Sequence, residues 1–449
     1  MKEDKCLQIA VRTVEEAQKM GAQLSEAYIS SSQQLFIDVR NQEVETMKMT
    51  EETGLGLRII KDGRMGFVFT TELHKDSIHR IIEQALANSR KTAEDEFNLL
   101  PEPSGVYPLL DVFDPRLKRI PVEEKIEVAR EIEKMGRDYD KRIKITESCT
   151  YQDAEYVSAL ANSLGIAASY SGTLAGAYSY FVAEEDGDCQ TGFGMQFGTR
   201  YEDLKPREIA EEGAFKAVSM LGAGSMSTQR MTAVFDPYIV TNLLDVLAPA
   251  VMADAVQKHK SLFAGRTGEK VASDLITIVD DGRMPGGIMS SPFDGEGVGT
   301  SRTVVINGGR LENFLHNTYT AAKEGCRSTG NGVRSGSFKG TADVGATNFY
   351  LAPGKTSRDS LLKEVKKGLY INEVMGMHTA NPISGDFSVG VSGLLIENGE
   401  FTKPVRGVAM AGNILELLQS VDCVADDLRF FVGKGAPTLR VSGITVSGS

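Results

Sequence analysis

The chain has no tryptophan and only five cysteines and five histidines among its 449 residues. Cys6, Cys149, Cys189, Cys326 and Cys423 are odd in number, scattered, and never spaced as CxxC. Zinc ribbons and thioredoxin-type motifs are thereby excluded, and free thiols of a reducing compartment are expected. His74, His79, His259, His316 and His378 include no pair four apart and no HExxH, so the ordinary zincin helix is absent. His74 and His79 are five apart, and ligands at that spacing fall roughly 140° apart around a helix. Lys75 also stands where a general base would be needed, so this pair reads as a solvated helix start. No run of eighteen apolar residues occurs, which leaves no transmembrane helix. Acidic residues interrupt the first segment, MKEDKCLQIAVRTVEEAQ, where a signal peptide needs an apolar core. A cytoplasmic location is the expectation.

A dense basic run is also missing. Lys and Arg total 49 against 61 Asp and Glu, a formal charge of −12. The nearest cluster, Lys363, Lys366 and Lys367, is interrupted by Glu364. Nucleic-acid binding draws most of its affinity from neutralised phosphates, and polybasic membrane attachment needs the same residues, so both are disfavoured. Gly354-Lys355-Thr356 resembles the end of a P-loop, but Phe349 occupies the place of the first glycine. Gly54-Leu55-Gly56 lacks the third glycine of a dinucleotide fingerprint and reads as a turn. No GxSxG elbow is present.

What is present is an ordinary globular composition with 46 glycines against 14 prolines, which predicts many turns. Residues 3–20 carry apolar side chains at three- and four-residue steps, from Leu7 to Met20. The period then falls to two over short segments at 27–31, 35–40, 44–50, 56–60 and 65–70, with Asp62-Gly63 as a hairpin signal. Helical spacing returns over 75–92. After Pro101, Pro103, Pro108 and Pro115 the same order recurs: a helix at 122–135, strands over 143–151, 155–161, 167–183 and 189–199, and a helix at 206–220. An internal duplication is suggested by order alone. A small, polar stretch at 222–229 reads as a hinge. Beyond it come a strand at 232–235, a helix across 238–257, many Gly-separated β segments, a helix at 414–418 and a last strand at 438–446. The expected fold is α+β: an N-terminal unit (1–95), a Pro-containing connector (96–120), a middle unit (121–229) and a large β-rich, barrel-like or multi-sheet C-terminal domain (230–449).

Chemistry concentrates in three glycine-rich loops of the last region, Pro285–Thr303, Ser328–Gly340 and Asn381–Gly393. Such loops let backbone approach a ligand or another chain closely, although ordinary hairpin turns share the composition. Asp294, Glu296, Arg302, Asn331, Arg334 and Asp386 are the candidate substrate or partner contacts on them.

The same segments carry a resemblance. NPISGDFSVGVSGLLIENGE at 381–400, KPVRGVAMAGNILELLQSV at 403–421, PFDGEGVGTSR at 292–302 and HNTYTAAKEGCRSTGNG at 316–332 are similar to the TldD/PmbA family. So are GAPTLRVSGITVSG at 435–448 and VETMKMTEETGLGLRIIKDGRMGFVFTT at 44–71, so the resemblance runs along nearly the whole chain. Members of that family are also known as peptidases or as modulators of DNA gyrase. The resemblance implies two kinds of subunit: a TldD-like one with an HExxxH zinc motif, and a PmbA- or TldE-like one without it. Together they imply a metallopeptidase that degrades or matures unfolded peptides. SLFAGRTGEKVA at 261–272 resembles the family segment that follows the zinc motif, which places the motif within 243–260. There the chain reads LLDVLAPAVMADAVQKHK, with His259 as its sole histidine and no glutamate. A zinc site needs about three protein ligands and an open position for water.

The expectation is therefore a PmbA/TldE-like subunit with no catalytic or metal residue of its own. Zinc is expected in a TldD-like partner, and unfolded peptide as the substrate of the pair. A homodimer is the other assembly considered. Two alternatives remain. One is a stand-alone metallopeptidase using His316, His378 and nearby carboxylates; the other is a binding protein that regulates DNA gyrase.

Overall fold

The helix–strands–helix order occurs twice, and both copies build one sheet. The computed structural model describes residues 1–103 and 105–448. The first copy is α1 (Glu3–Lys19), β1 (Leu24–Arg40), β2 (Glu43–Lys61), β3 (Arg64–Thr70) and α2 (Lys75–Ser89). The second is α3 (Val122–Tyr139), β4 (Ile143–Asn162), β5 (Ala167–Glu185), β6 (Asp188–Gly198) and α4 (Pro206–Ser219). The six strands run antiparallel in the order β3-β2-β1-β4-β5-β6. At the centre β1 pairs with β4, from Glu26 opposite Asn162 to Val39 opposite Cys149.

Side chains alternate across this sheet, and the alternation decides what each face does. Ala27, Ile29, Leu35 and Ile37 of β1 and Cys149, Tyr151, Val157 and Ala159 of β4 are buried in the two cores that contain the helix residues. Helix α1 supplies Cys6, Ala10, Val14 and Ala17 at three- and four-residue spacing. The opposite face carries Glu26, Tyr28, Arg58, Tyr156, Ser158 and Tyr170. It looks toward the C-terminal region, where Leu160, Ile166 and Ala168 pack with Phe293.

Several short strands expected from the sequence prove to be halves of long ones: 27–31 and 35–40 lie in β1, 44–50 and 56–60 in β2, and 143–151 and 155–161 in β4. Gly54 is not a turn residue. It sits in mid-strand opposite Ser30, and a Cβ there would lie 2.2 Å from the ring of Phe338. The glycine therefore admits a C-terminal side chain against the sheet. Asp62 and Gly63, by contrast, do form the hairpin, with φ of 53° and 68°. Positive φ at both central residues is what a type I′ turn requires.

In the C-terminal region β7 (Gln229–Phe235) joins strands 367–375, 386–397, 400–413 and 439–447. Pairing of Ala409 with Ser447 and of Met410 with Val446 closes these five into a barrel. A second sheet, built from 278–281, 302–307, 310–311, 349–351, 429–431 and 434–436, stands beside it. Helix α5 (Pro237–Ala250) buries Ile239, Val240, Leu243, Leu244 and Leu247 in the core that also holds Phe235, Leu369 and Val391 of the barrel. The single helix expected over 238–257 is broken. Pro249 lacks an N–H, and the backbone of 251–253 pairs with Leu315 instead, before α6 (Ala253–Gln257) resumes.

Candidate functional site

The glycine-rich loops of the C-terminal region fold against the free face of the six-stranded sheet. In the loop 292–299 the Asp294 carboxylate accepts the backbone N–H of Glu296 at 2.9 Å and of Val298 at 3.0 Å on one oxygen. Its other oxygen accepts the N–H of Gly332 at 2.8 Å, which laces this loop to the one at 330–334. Gly297 has φ +86°, and a Cβ there would lie 2.9 Å from Ile166, so the loop needs glycine both for its turn and for its approach to the sheet.

Charged side chains complete the junction. Arg58 donates to Glu26 at 2.8 Å and to Glu296 at 3.4 Å. Arg334 donates to Glu26 as well, to the carbonyl of Gly295 at 2.6 Å and to that of Gly340 at 2.7 Å. Glu296 also accepts the N–H of Thr318 at 2.7 Å. Glu26 and Glu296 are each 1 % exposed. This is a buried, branched ion network across the boundary between sheet and loops, with partners more than two hundred residues apart.

Of the six sequence-chosen residues, Asp294, Glu296 and Arg334 meet here. Asn331 is buried one step away, donating to Asp280 at 2.7 Å and to the carbonyl of Gly345 at 2.9 Å. Arg302 lies apart on strand 302–307, exposed and 3.8 Å from Asp281. Asp386 also lies apart, exposed at the start of strand 386–397, where it accepts from Asn413 at 2.9 Å. Glu26 and Arg58 belong to no motif that marks them in the sequence. The available signal was Arg58 itself, a charge inside the apolar run Gly54–Ile60. A charge in a buried strand demands a partner.

Burial, and then the Glu296 carboxylate beside it, push Asp294 up to about 7, against the pull of its three backbone N–H donors. A folded-state value above the unfolded one near 3.8 means the stabilisation is complete in acid and is lost as pH rises through about 7. The stability gap between the wild type and Asp294→Asn is therefore expected to be wider at about pH 5 than at about pH 8. Urea midpoints of both proteins at both pH values check this; a gap that widens with pH contradicts it.

Next to the network opens a cleft of two adjoining hollows, about 390 Å³ and 660 Å³, which share Met289, Val333, Thr347 and Val432. Val432 projects between them with φ +60°, a strained conformation for a β-branched residue. The larger hollow is bounded by one face of α5: Thr241, Asn242, Asp245, Ala248 and Pro249, with Met252 beyond. Asp236 positions that helix. Its carboxylate caps α5 by accepting the N–H of Tyr238 at 2.9 Å, and it accepts the Tyr370 hydroxyl of the barrel at 2.6 Å.

The α5 face offers zinc nothing suitable. It has no histidine, and its one carboxylate, Asp245, is engaged by Lys434. His259 follows α6 in a left-handed conformation. His316 is buried with its Nδ1 unpartnered, and His378 is exposed on a short turn of helix at 377–379. Among the described residues no three His, Cys, Asp or Glu side chains converge as a metal would require. The residues present do not fit a catalytic zinc ion.

Comparison with known proteins places this architecture. Residues 25–89, 115–221 and 228–448 match, in order, domain 1, the central domain and the C-terminal domain of the PmbA/TldA metallopeptidases. The chain belongs to the PmbA/TldD metallopeptidase family. It is 28 % identical to metalloprotease PmbA of Escherichia coli O157:H7, over 94 % of this chain and 92 % of that protein. It is also 28 % identical to a metalloprotease TldD homologue of Haemophilus influenzae, over 89 % and 87 % of the two chains. The crystal structure of TldE from Thermococcus kodakarensis superposes with a TM-score of 0.91 at 24 % identity, covering 98 % of this chain and 100 % of that one, and so shares the fold. Identity to this PmbA and to this TldD homologue is the same, so identity to these two does not separate the branches of the PmbA/TldD family.

Proposed function

We propose that this chain is the non-catalytic, PmbA/TldE-like subunit of a TldD/PmbA-type peptidase complex. It contributes a wall of the chamber that holds unfolded peptide, while a TldD-like partner carrying HExxxH supplies the zinc and the hydrolytic water. The observation that carries this reading is the α5 face. It lines the larger hollow with Asp245, Ala248 and Pro249 in the segment where the resemblance places the zinc motif, and the one carboxylate there, Asp245, is paired with Lys434. The cleft suits an extended polypeptide, since its two hollows adjoin and present hydroxylic, aromatic and methionine side chains along their length.

The purified chain, alone, is expected to hold far less than one zinc per molecule and to leave an unfolded polypeptide intact. Metal analysis and a cleavage assay on the same sample test this. Stoichiometric zinc accompanied by cleavage overturns the proposal and returns attention to His316 and His378.

A further inference from the structure

We propose that the hollow between the sheet and the two glycine-rich loops is a subsite for a cationic side chain, lysine or arginine, of the bound peptide. This rests on the reading of the cleft as a peptide chamber and adds the residue class that it selects. The hollow measures about 390 Å³ and is walled by Tyr28, Tyr156, Tyr170 and Phe293. That volume accommodates a long side chain and the backbone that carries it. Aromatic rings attract cations through their quadrupoles. The Arg334 guanidinium already lies 4.6 Å from the centre of Tyr28, so the rings left to an incoming cation are those of Tyr156, Tyr170 and Phe293.

The balance of charge decides between a cationic and a neutral occupant. Asp294 lines this hollow, and Glu26 and Asp280 are buried behind its lining residues Arg334 and Thr347, with Glu296 buried next to Asp294. Arg58 and Arg334 are the guanidiniums that face them, and both are committed to Glu26, Glu296 and loop carbonyls. Asp294 takes only backbone N–H groups, from residues 296, 298 and 332. Asp280 takes the N–H and hydroxyl of Thr347 and the amide of Asn331. Among the described residues neither aspartate has a cationic partner within salt-bridge distance, so deprotonation of either leaves a negative charge on this side of the cleft with no counter-charge. Asp294 lines the hollow directly, and so does Thr347, the neighbour of Asp280. Burial raises the pKa of both carboxyls, as a missing counter-charge should. An ammonium or guanidinium entering from the cleft supplies that charge and meets the hydroxyl groups of Ser158, Ser290 and Ser291 as acceptors. An aliphatic side chain leaves the charge unanswered, and a carboxylate adds to it.

Titration calorimetry of the intact chain with end-blocked peptides tests this, the peptides differing at one central residue: lysine, arginine, norleucine or glutamate. The lysine and arginine peptides are expected to bind at least about tenfold more tightly than the norleucine peptide, and the glutamate peptide more weakly still. Asp294→Asn and Asp280→Asn should each shrink that ratio. Equal affinity for lysine and norleucine peptides in the wild type overturns the subsite, as does a ratio that survives both substitutions or an absence of binding by every peptide. The wild-type series decides even where a variant fails to fold. Equal affinities would leave the accessory-subunit reading standing, because that reading is judged by activity with a catalytic partner.

Discussion

Arg334→Met is expected to destabilise the protein by about 3–5 kcal/mol, the usual consequence of removing one member of a buried ion network. The Arg334 and Glu26 side chains are 3 % and 1 % exposed, so solvent cannot take over the role of the lost partner. Three bonds vanish together: those to Glu26, to the carbonyl of Gly295 and to the carbonyl of Gly340. The Glu26 carboxylate keeps Arg58, but Glu296 must then share that single guanidinium with it. Adding Glu26→Gln to Arg334→Met should cost less than the sum of the two single changes, since the neutral amide no longer strands a charge. Urea unfolding followed by circular dichroism reads this, the chain having no tryptophan to report by fluorescence. A loss below about 1 kcal/mol, typical of an exposed pair, would show that the junction is open to water.

Gly393→Ala is the second substitution expected to act strongly. A Cβ at residue 393 would lie 1.9 Å from the carbonyl oxygen of Tyr370 and 3.1 Å from the Cα of Ile371. Both are backbone atoms of the neighbouring barrel strand, so no side chain can swing aside. Relief requires strands 367–375 and 386–397 to separate where both already carry an irregular register. Tyr370 also holds Asp236 at the start of α5, so the disturbance reaches the cleft. A loss of about 3 kcal/mol is expected, at the upper end for an overpacked site. Gly390→Ala, three residues earlier in the same strand, is the control. Its nearest neighbour is the mobile end of Met375 at 3.5 Å, and it should be tolerated. Thermal midpoints of the two variants should differ clearly; equal midpoints would contradict the packing described for the barrel wall.

Local order was legible in the sequence because local periodicity created it. Helix α1 was expected over 3–20 and spans Glu3–Lys19, and the Asp62-Gly63 hairpin was readable from its turn chemistry. Strand continuity was not legible. Gly54 looks like punctuation when only its neighbours in sequence are known, whereas the cause of the glycine, Phe338, lies far along the chain. The break in the helix at 251–253 was legible only in part: Pro249 is local, but the pairing with Leu315 that takes over the backbone lies in no local window. At the site, Asp294, Glu296 and Arg334 stood out because they sit between glycines. Glu26 did not, and Arg58 signalled only that a charge in a buried strand needs a partner, without showing that the partner lies on the distant loops.

The most direct measurement of the central claim is peptidase activity after mixing this chain with a TldD-like subunit that carries HExxxH, beside each subunit alone. The account predicts that the two co-elute as one complex, and that cleavage of an unfolded polypeptide by the mixture exceeds that by the TldD-like subunit alone. Zinc should track the partner only. Cleavage and stoichiometric zinc in this chain by itself would contradict the account, and so would a mixture no more active than the partner alone.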